Sequence, residues 1–180
     1  MRAGTNYEDI YITYKSGESW SVPKKISSNI NQRYNDAAAS LSPDGKSLFL
    51  YYEEGNGDIY MSRLEGSEWT KPEPLGKNVN TSLFWETSAS VSADGKKLYF
   101  ASNRPGGKGE LDLYVSELDG RGDWGKAANL GPNINTEGNE DAPVIHPRRC
   151  DPVFFFRRPS DAGQCRHLCE RVQGRQVAEA

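Results

Sequence analysis

The chain has 180 residues, a formal net charge of -3 and a mean hydropathy of -0.76, with 36% hydrophobic residues, 18 Gly and 10 Pro. That balance suits many short strands and turns better than a thick helical core, and the net charge gives no reason to expect nucleic acid, which usually demands a clustered basic face. No apolar run approaches the roughly 18 residues that a spanning helix needs. The opening MRAGTNYEDIY lacks the apolar stretch of a secretory signal.

Residues 8–14, EDIYITY, alternate Ile10 and Ile12 with Tyr11 and Thr13, a period-two run that predicts a strand. A second strand is expected over 20–26, at a sheet edge because Pro23 cannot donate to a ladder. Residues 27–35 are polar and read as a loop. Strands at 36–41 and 46–52 flank SPDG, where Pro43 presets a turn and Gly45 accepts positive φ. Strands at 58–64 and 68–75 complete a four-stranded unit. The order then repeats over 87–91, 97–102, 111–118 and 124–130, and 141–145 begins another unit.

The repeat carries landmarks. Asp9, Asp58 and Asp112 each precede an Ile/Leu-Tyr pair, followed by Trp20, Trp69 and Trp124 and then by Asn31, Asn80 and Asn135. The spacings are 49 and then 54 or 55 residues. Four antiparallel strands at such a period form the blade of a β-propeller. The expected fold class is therefore all-β, a propeller portion of about two to three four-stranded blades. Its divisions are a partial blade at 1–35, blades at 36–85 and 86–139, and the start of a further blade at 140–147. Because 1–11 align with 102–114, the chain is expected to begin inside a blade.

The succession P/A-D-G-K-x-L-F/Y, D-I/L-Y-x-S, Trp and L-G-x-x-I/V-N, over about residues 6–147, resembles the TolB-type WD-like β-propeller repeat. The resemblance extends to copies in bacterial envelope proteins that also carry an OmpA-like domain. It implies a periplasmic or outer-membrane-associated scaffold without catalytic residues, binding envelope proteins, peptidoglycan or another glycan. No cofactor and no metal is implied. A carbohydrate-active propeller enzyme of glycosidase type is the alternative.

Candidate sites follow from the loops. Those at 29–36, 78–86 and 133–141 each join the last strand of one blade to the first of the next, so they gather on one face, where rigid scaffolds present binding surfaces. Asn31, Asp36, Asn80, Trp85, Glu86, Asn135 and Glu140 form the candidate ring, its acids around the channel mouth. The competing reading is that the asparagines shape turns and the acids finish solvated strand ends. Asp44-Gly45 and Asp94-Gly95 could bind a ligand, but a tight turn explains them. Trp20, Trp69 and Trp124 could stack on sugars or pack between blades. Histidine-dependent nucleophile chemistry has one candidate base in the repeats, His146, at a turn position. Open blade edges suggest self-association.

Residues 148–180 differ from the rest. They hold 7 Arg, no Lys and all three cysteines (Cys150, Cys165, Cys169), against 10 Lys and 5 Arg through Pro147. With only His167 nearby, this is neither a disulfide framework nor a zinc pattern. Read one base out of frame, the codons permit PDGVTLYFS, DIYVSE and a Trp at the repeat spacing. The tail is therefore expected to be out of frame and disordered, with a strand near 153–156 able to add to an open edge. An arm for an anionic partner is the other reading.

Overall fold

A computed structural model describes residues 9–31, 36–53, 56–145, 153–159 and 165–171. Among these the regular elements are all strands. Four short ones come first: β1 (Tyr11–Ile12), β2 (Lys15–Ser16), β3 (Ser19–Trp20) and β4 (Lys24–Lys25). They form two antiparallel pairs, β1 with β4 and β2 with β3. A five-stranded sheet follows, made of β5 (Asp36–Leu41), β6 (Ser47–Tyr52), β7 (Asp58–Glu65), β8 (Glu68–Trp69) and β9 (Glu73–Pro74). Both β8 and β9 pair with β7. The next sheet is β10 (Glu86–Val91), β11 (Lys97–Ser102), β12 (Asp112–Glu117) and β13 (Ala128–Asn129), in that order. Antiparallel meanders of this kind are propeller blades.

The sequence turns the chain where expected. In the β5–β6 hairpin the Ser42 hydroxyl donates to Asp44 Oδ1 at 2.5 Å, and the Lys46 N–H donates to the same oxygen at 3.0 Å. Gly45 takes φ 71°, a region open to glycine at little cost. The β10–β11 hairpin repeats this with Ser92, Asp94, Lys96 and Gly95 at φ 72°. These hydrogen bonds hold the carboxyls of Asp44 and Asp94 below the usual carboxylate range, the serine hydroxyl contributing most. Asp-Gly here makes turns.

The core is divided between blades. Along β6, Leu48 and Leu50 join Ile30 and Trp69 in one cluster, against Ile10 and Ile26, while Phe49 joins the next cluster. Along β11, Leu98 and Phe100 lie with Phe49, Ile59, Val79 and Trp124, while Tyr99 and Ala101 pack with Leu113, Ile134 and Ile145. Successive side chains of a strand point to opposite faces, and here both faces are covered, so alternation assigns residues to one neighbour or the other. Phe49 meets Trp124 edge to face at 6.2 Å, and β10 packs against β5, β6 and β7. Trp69 and Trp124 are thus interface residues, each 7% exposed, whereas Trp20 is 63% exposed.

The outer strands are shorter than their sequence patterns suggest. The runs 20–26, 68–75 and 124–130 contain only β3 and β4, β8 and β9, and a Leu118–Trp124 bridge with β13. Pro23 and Pro72 interrupt the first two, and the Ser62 and Ser116 hydroxyls bind Thr70 O and Gly125 O at the breaks. Residues 141–145 form no strand. Their backbone donors turn to β10 side chains instead, Ala142 N to Ser88 Oγ and Ile145 N to Ser90 Oγ, both at 3.1 Å. In the tail, expected to lack order, β14 (Val153–Pro159) pairs antiparallel with β15 (Cys165–Arg171). Cys150 lies outside the described residues.

Candidate functional site

The three asparagines of the expected ring are turned inward, each against the third strand of its own unit. Asn80 Oδ1 accepts the Ile59 N–H at 3.0 Å, and its Nδ2 donates to Ile59 O at 2.9 Å. Asn31 does the same at Ile10 (3.0 and 2.9 Å) and Asn135 at Leu113 (2.8 and 3.0 Å). The outer strand satisfies only the carbonyl: Ile26 N, Leu75 N and Leu130 N donate to Ile10 O, Ile59 O and Leu113 O. Each amide therefore completes a ladder that the fragmented outer strand leaves short of one acceptor.

The acids also differ from expectation. Glu86 and Glu140 were expected at the channel mouth, but both are 0% exposed. Glu86 accepts the Thr81 N–H at 2.7 Å and its hydroxyl at 3.0 Å, closing the loop 81–86 upon itself. Glu140 accepts the N–H of Thr136 at 2.9 Å and also its hydroxyl, closing 136–140. The side chain of Asp36 lies outside the description, although its backbone begins β5.

Glu86 has a cationic partner that sequence reasoning did not identify. The Arg104 guanidinium lies 2.9 Å from Glu86 Oε1, also donates to Val79 O, and donates through Nε to Ser102 Oγ at 3.1 Å. Its Cζ sits 5.0 Å from the ring centres of Phe100 and Tyr114. The usable signal was the single Arg in an Asn-Arg-Pro-Gly turn, one blade beyond Glu54 in register.

Inward anchoring leaves the tip of the loop 81–86 outward. Leu83 is 76% exposed and Trp85 56%, the two apolar side chains this loop gives to solvent. The loop is held on both flanks, by Asn56 Nδ2 on Ser82 O at 2.5 Å and by the Trp85 N–H on Asn103 Oδ1 at 2.7 Å. Among the expected binding residues whose side chains are described, Trp85 is the one that is exposed. The following loop is differently built: Gly109 lies so close to it that an added Cβ would sit 1.7 Å from Gly138 O.

The same architecture occurs in known proteins. TolB from Acinetobacter baumannii superposes with a TM-score of 0.58 at 17% identity, over 90% of this chain and 38% of that one. A TolB-designated protein from Agrobacterium tumefaciens gives 0.57 at 18% identity, over 93% of this chain and 59% of that one. The fold is a TolB-type β-propeller. The chain spans less than two thirds of either TolB structure. No protein-family model and no curated protein sequence matches it. In this TolB-type setting the inter-blade loops are built alike in two units, with an inward asparagine and a buried glutamate, and they differ in what their tips expose.

Among the described residues no helix is long and apolar enough to cross a membrane. No group of three or more His, Cys, Asp or Glu among them could hold a metal ion.

Proposed function

We propose that this chain is a non-enzymatic binding scaffold of the bacterial cell envelope, working in the periplasm or at the outer membrane by engaging a protein partner or the cell wall. The carrying observation is the loop 81–86. Its carboxylate is buried as an internal brace, while Leu83 and Trp85 stand exposed on a backbone fixed at both flanks. A rigid apolar pair loses little conformational entropy on docking, and aromatic anchors dominate many interfaces. The likeness to TolB structures supports the scaffold reading through the fold.

The glycosidase alternative needs a carboxyl that reaches a substrate. Glu86 and Glu140, its best candidates, are occupied with Thr81, Arg104 and Thr136. The test uses the whole chain, with purified peptidoglycan sacculi and solubilised envelope proteins as binding targets and a glycoside panel as substrates. Saturable binding without turnover, weakened about tenfold or more by Trp85→Ser, is the expected result. Turnover abolished by Glu86→Gln in a folded variant would overturn it.

A further inference from the structure

A cleft of about 470 Å³ lies between the two complete blades, where residues 77–81, 104–106 and 126–129 converge. Its walls are fixed: the Ala127 N–H donates to Asn78 O at 3.3 Å, and Asn78 Nδ2 donates to Trp124 O at 2.8 Å. Lys77 and Lys126 line it, together with Thr81, Arg104, Tyr114 and Asn129. Arg104 is paired with Glu86, but neither lysine forms an ion pair among the described residues. The cleft thus carries two uncompensated cations beside a neutralised third.

Asn129 gives this space a fixed wall. Asn129 Oδ1 is fixed by the Gly131 N–H at 2.8 Å and by Asn135 Nδ2 at 2.9 Å, which sets the orientation of its amide. Its Nδ2 is buried and has no partner, the one such side-chain atom among the described residues. That nitrogen is sealed from solvent, and so from a ligand oxygen in the cleft, which leaves the two lysines as the donors that reach such an oxygen. The repeat itself does not require these cations. Lys77 and Arg104 stand in register with Ser28 and Glu54 of the preceding unit, and only Lys126 has a like counterpart, Lys71.

We infer that this cleft is a carboxylate-binding site, in which Lys77 and Lys126 supply charge and hydrogen-bond donors while Asn129 and Tyr114 form part of the wall. A carboxylate takes several charge-assisted hydrogen bonds at once, which suits two ammonium groups lining one cleft. The acid comes from either a free small dicarboxylate or an acidic side chain of a peptide. Trp85 does not line the cleft, so the inference stands independently of the loop surface proposed above.

The test is calorimetric or NMR titration of the full chain with two probes, sodium glutarate and an acidic peptide blocked at both ends. Glutaramide and the matching Gln peptide serve as neutral controls. Saturable binding of one acid and not its amide is expected, and the tighter probe identifies the source. Lys77→Gln with Lys126→Gln should weaken it about tenfold or more, the worth of a charge-assisted hydrogen bond. Lys77→Arg with Lys126→Arg should retain most of it, and Trp85→Ser should leave it unchanged. Lys46→Gln with Lys71→Gln makes the same change in net charge elsewhere. An equal loss in that pair, or no saturable binding of either acid, would overturn the inference.

Discussion

Replacing Asn80 by alanine tests whether these amides hold the blade together. Ile59 is fully buried, and its N–H has the Asn80 amide oxygen as acceptor, whereas its carbonyl also receives the Leu75 N–H at 3.1 Å. Asn80→Ala therefore orphans one buried N–H, at about 1–3 kcal/mol, and removes one bond from a carbonyl that keeps another, at about 0.5–1 kcal/mol. Together these are about 1.5–4 kcal/mol, or a fall in Tm of roughly 4–12 °C for a chain of this size. The equivalent changes should be graded. Asn31 is only part-buried, so Asn31→Ala should cost least; Asn135 also donates to Asn129, so Asn135→Ala should cost at least as much as Asn80→Ala. Urea unfolding followed by circular dichroism measures the differences, and amide exchange reports the Ile59 N–H directly. A change below about 0.5 kcal/mol for Asn80→Ala, or Asn31→Ala costing more than Asn135→Ala, would refute the reasoning.

Three further outcomes are expected. Glu86→Gln leaves the mostly buried Arg104 without its counter-charge and should destabilise by about 3–5 kcal/mol; combining it with Arg104→Met should cost clearly less than the two separate changes added together, as a double-mutant cycle would show. Gly109→Ala drives a Cβ into the Gly138 carbonyl, so the loops around 107–112 and 136–140 must shift, and the thermal midpoint should fall by more than for Gly120→Ala, where the added atom meets open space. Burial, and then the charge of Glu86, hold the Asp58 carboxyl above its ordinary 3.8, so the fold favours its protonated form. That preference contributes fully below pH 3.8 and is lost as pH rises through the higher folded value; Asp58→Asn should therefore gain stability relative to the parent as pH rises through that window, and pH-resolved unfolding that shows no such gain would contradict the assignment.

The fold was legible because its landmarks recur at a fixed period and each demands a backbone event, such as positive φ at Gly45 and Gly95 or an interface at Trp69 and Trp124. The roles of Asn80, Asn135, Glu86 and Glu140 were not. Sequence shows that a polar residue sits in a loop, but not whether its side chain points to solvent or back into the sheet. A clue existed in the near-constant separation of 21 or 22 residues between each asparagine and the Ile10, Ile59 or Leu113 that it holds. A spacing that regular indicates an intramolecular partner. The outer strands end sooner than the repeat pattern suggests, because Pro23, Pro72 and the competing hydroxyls of Ser62 and Ser116 decide where the ladder can run. The Lys77–Lys126 cleft escaped notice because its residues lie far apart in the chain and meet only when two blades dock.

The alternating assignment of β6 and β11 side chains also bears on how such a chain can lengthen. Every unit carries the complementary half of the contact that it makes with the unit before it and the unit after it, as Phe49 and Trp124 show. A tandem duplication of one whole period therefore delivers, at a single stroke, both surfaces needed to insert the new copy between old ones. No compensating change elsewhere is required for the new junctions to match. Copy number can drift at the level of the gene while each joint stays chemically the same, and novelty then accumulates at the loop tips, where Leu83 and Trp85 already set one copy apart from the next.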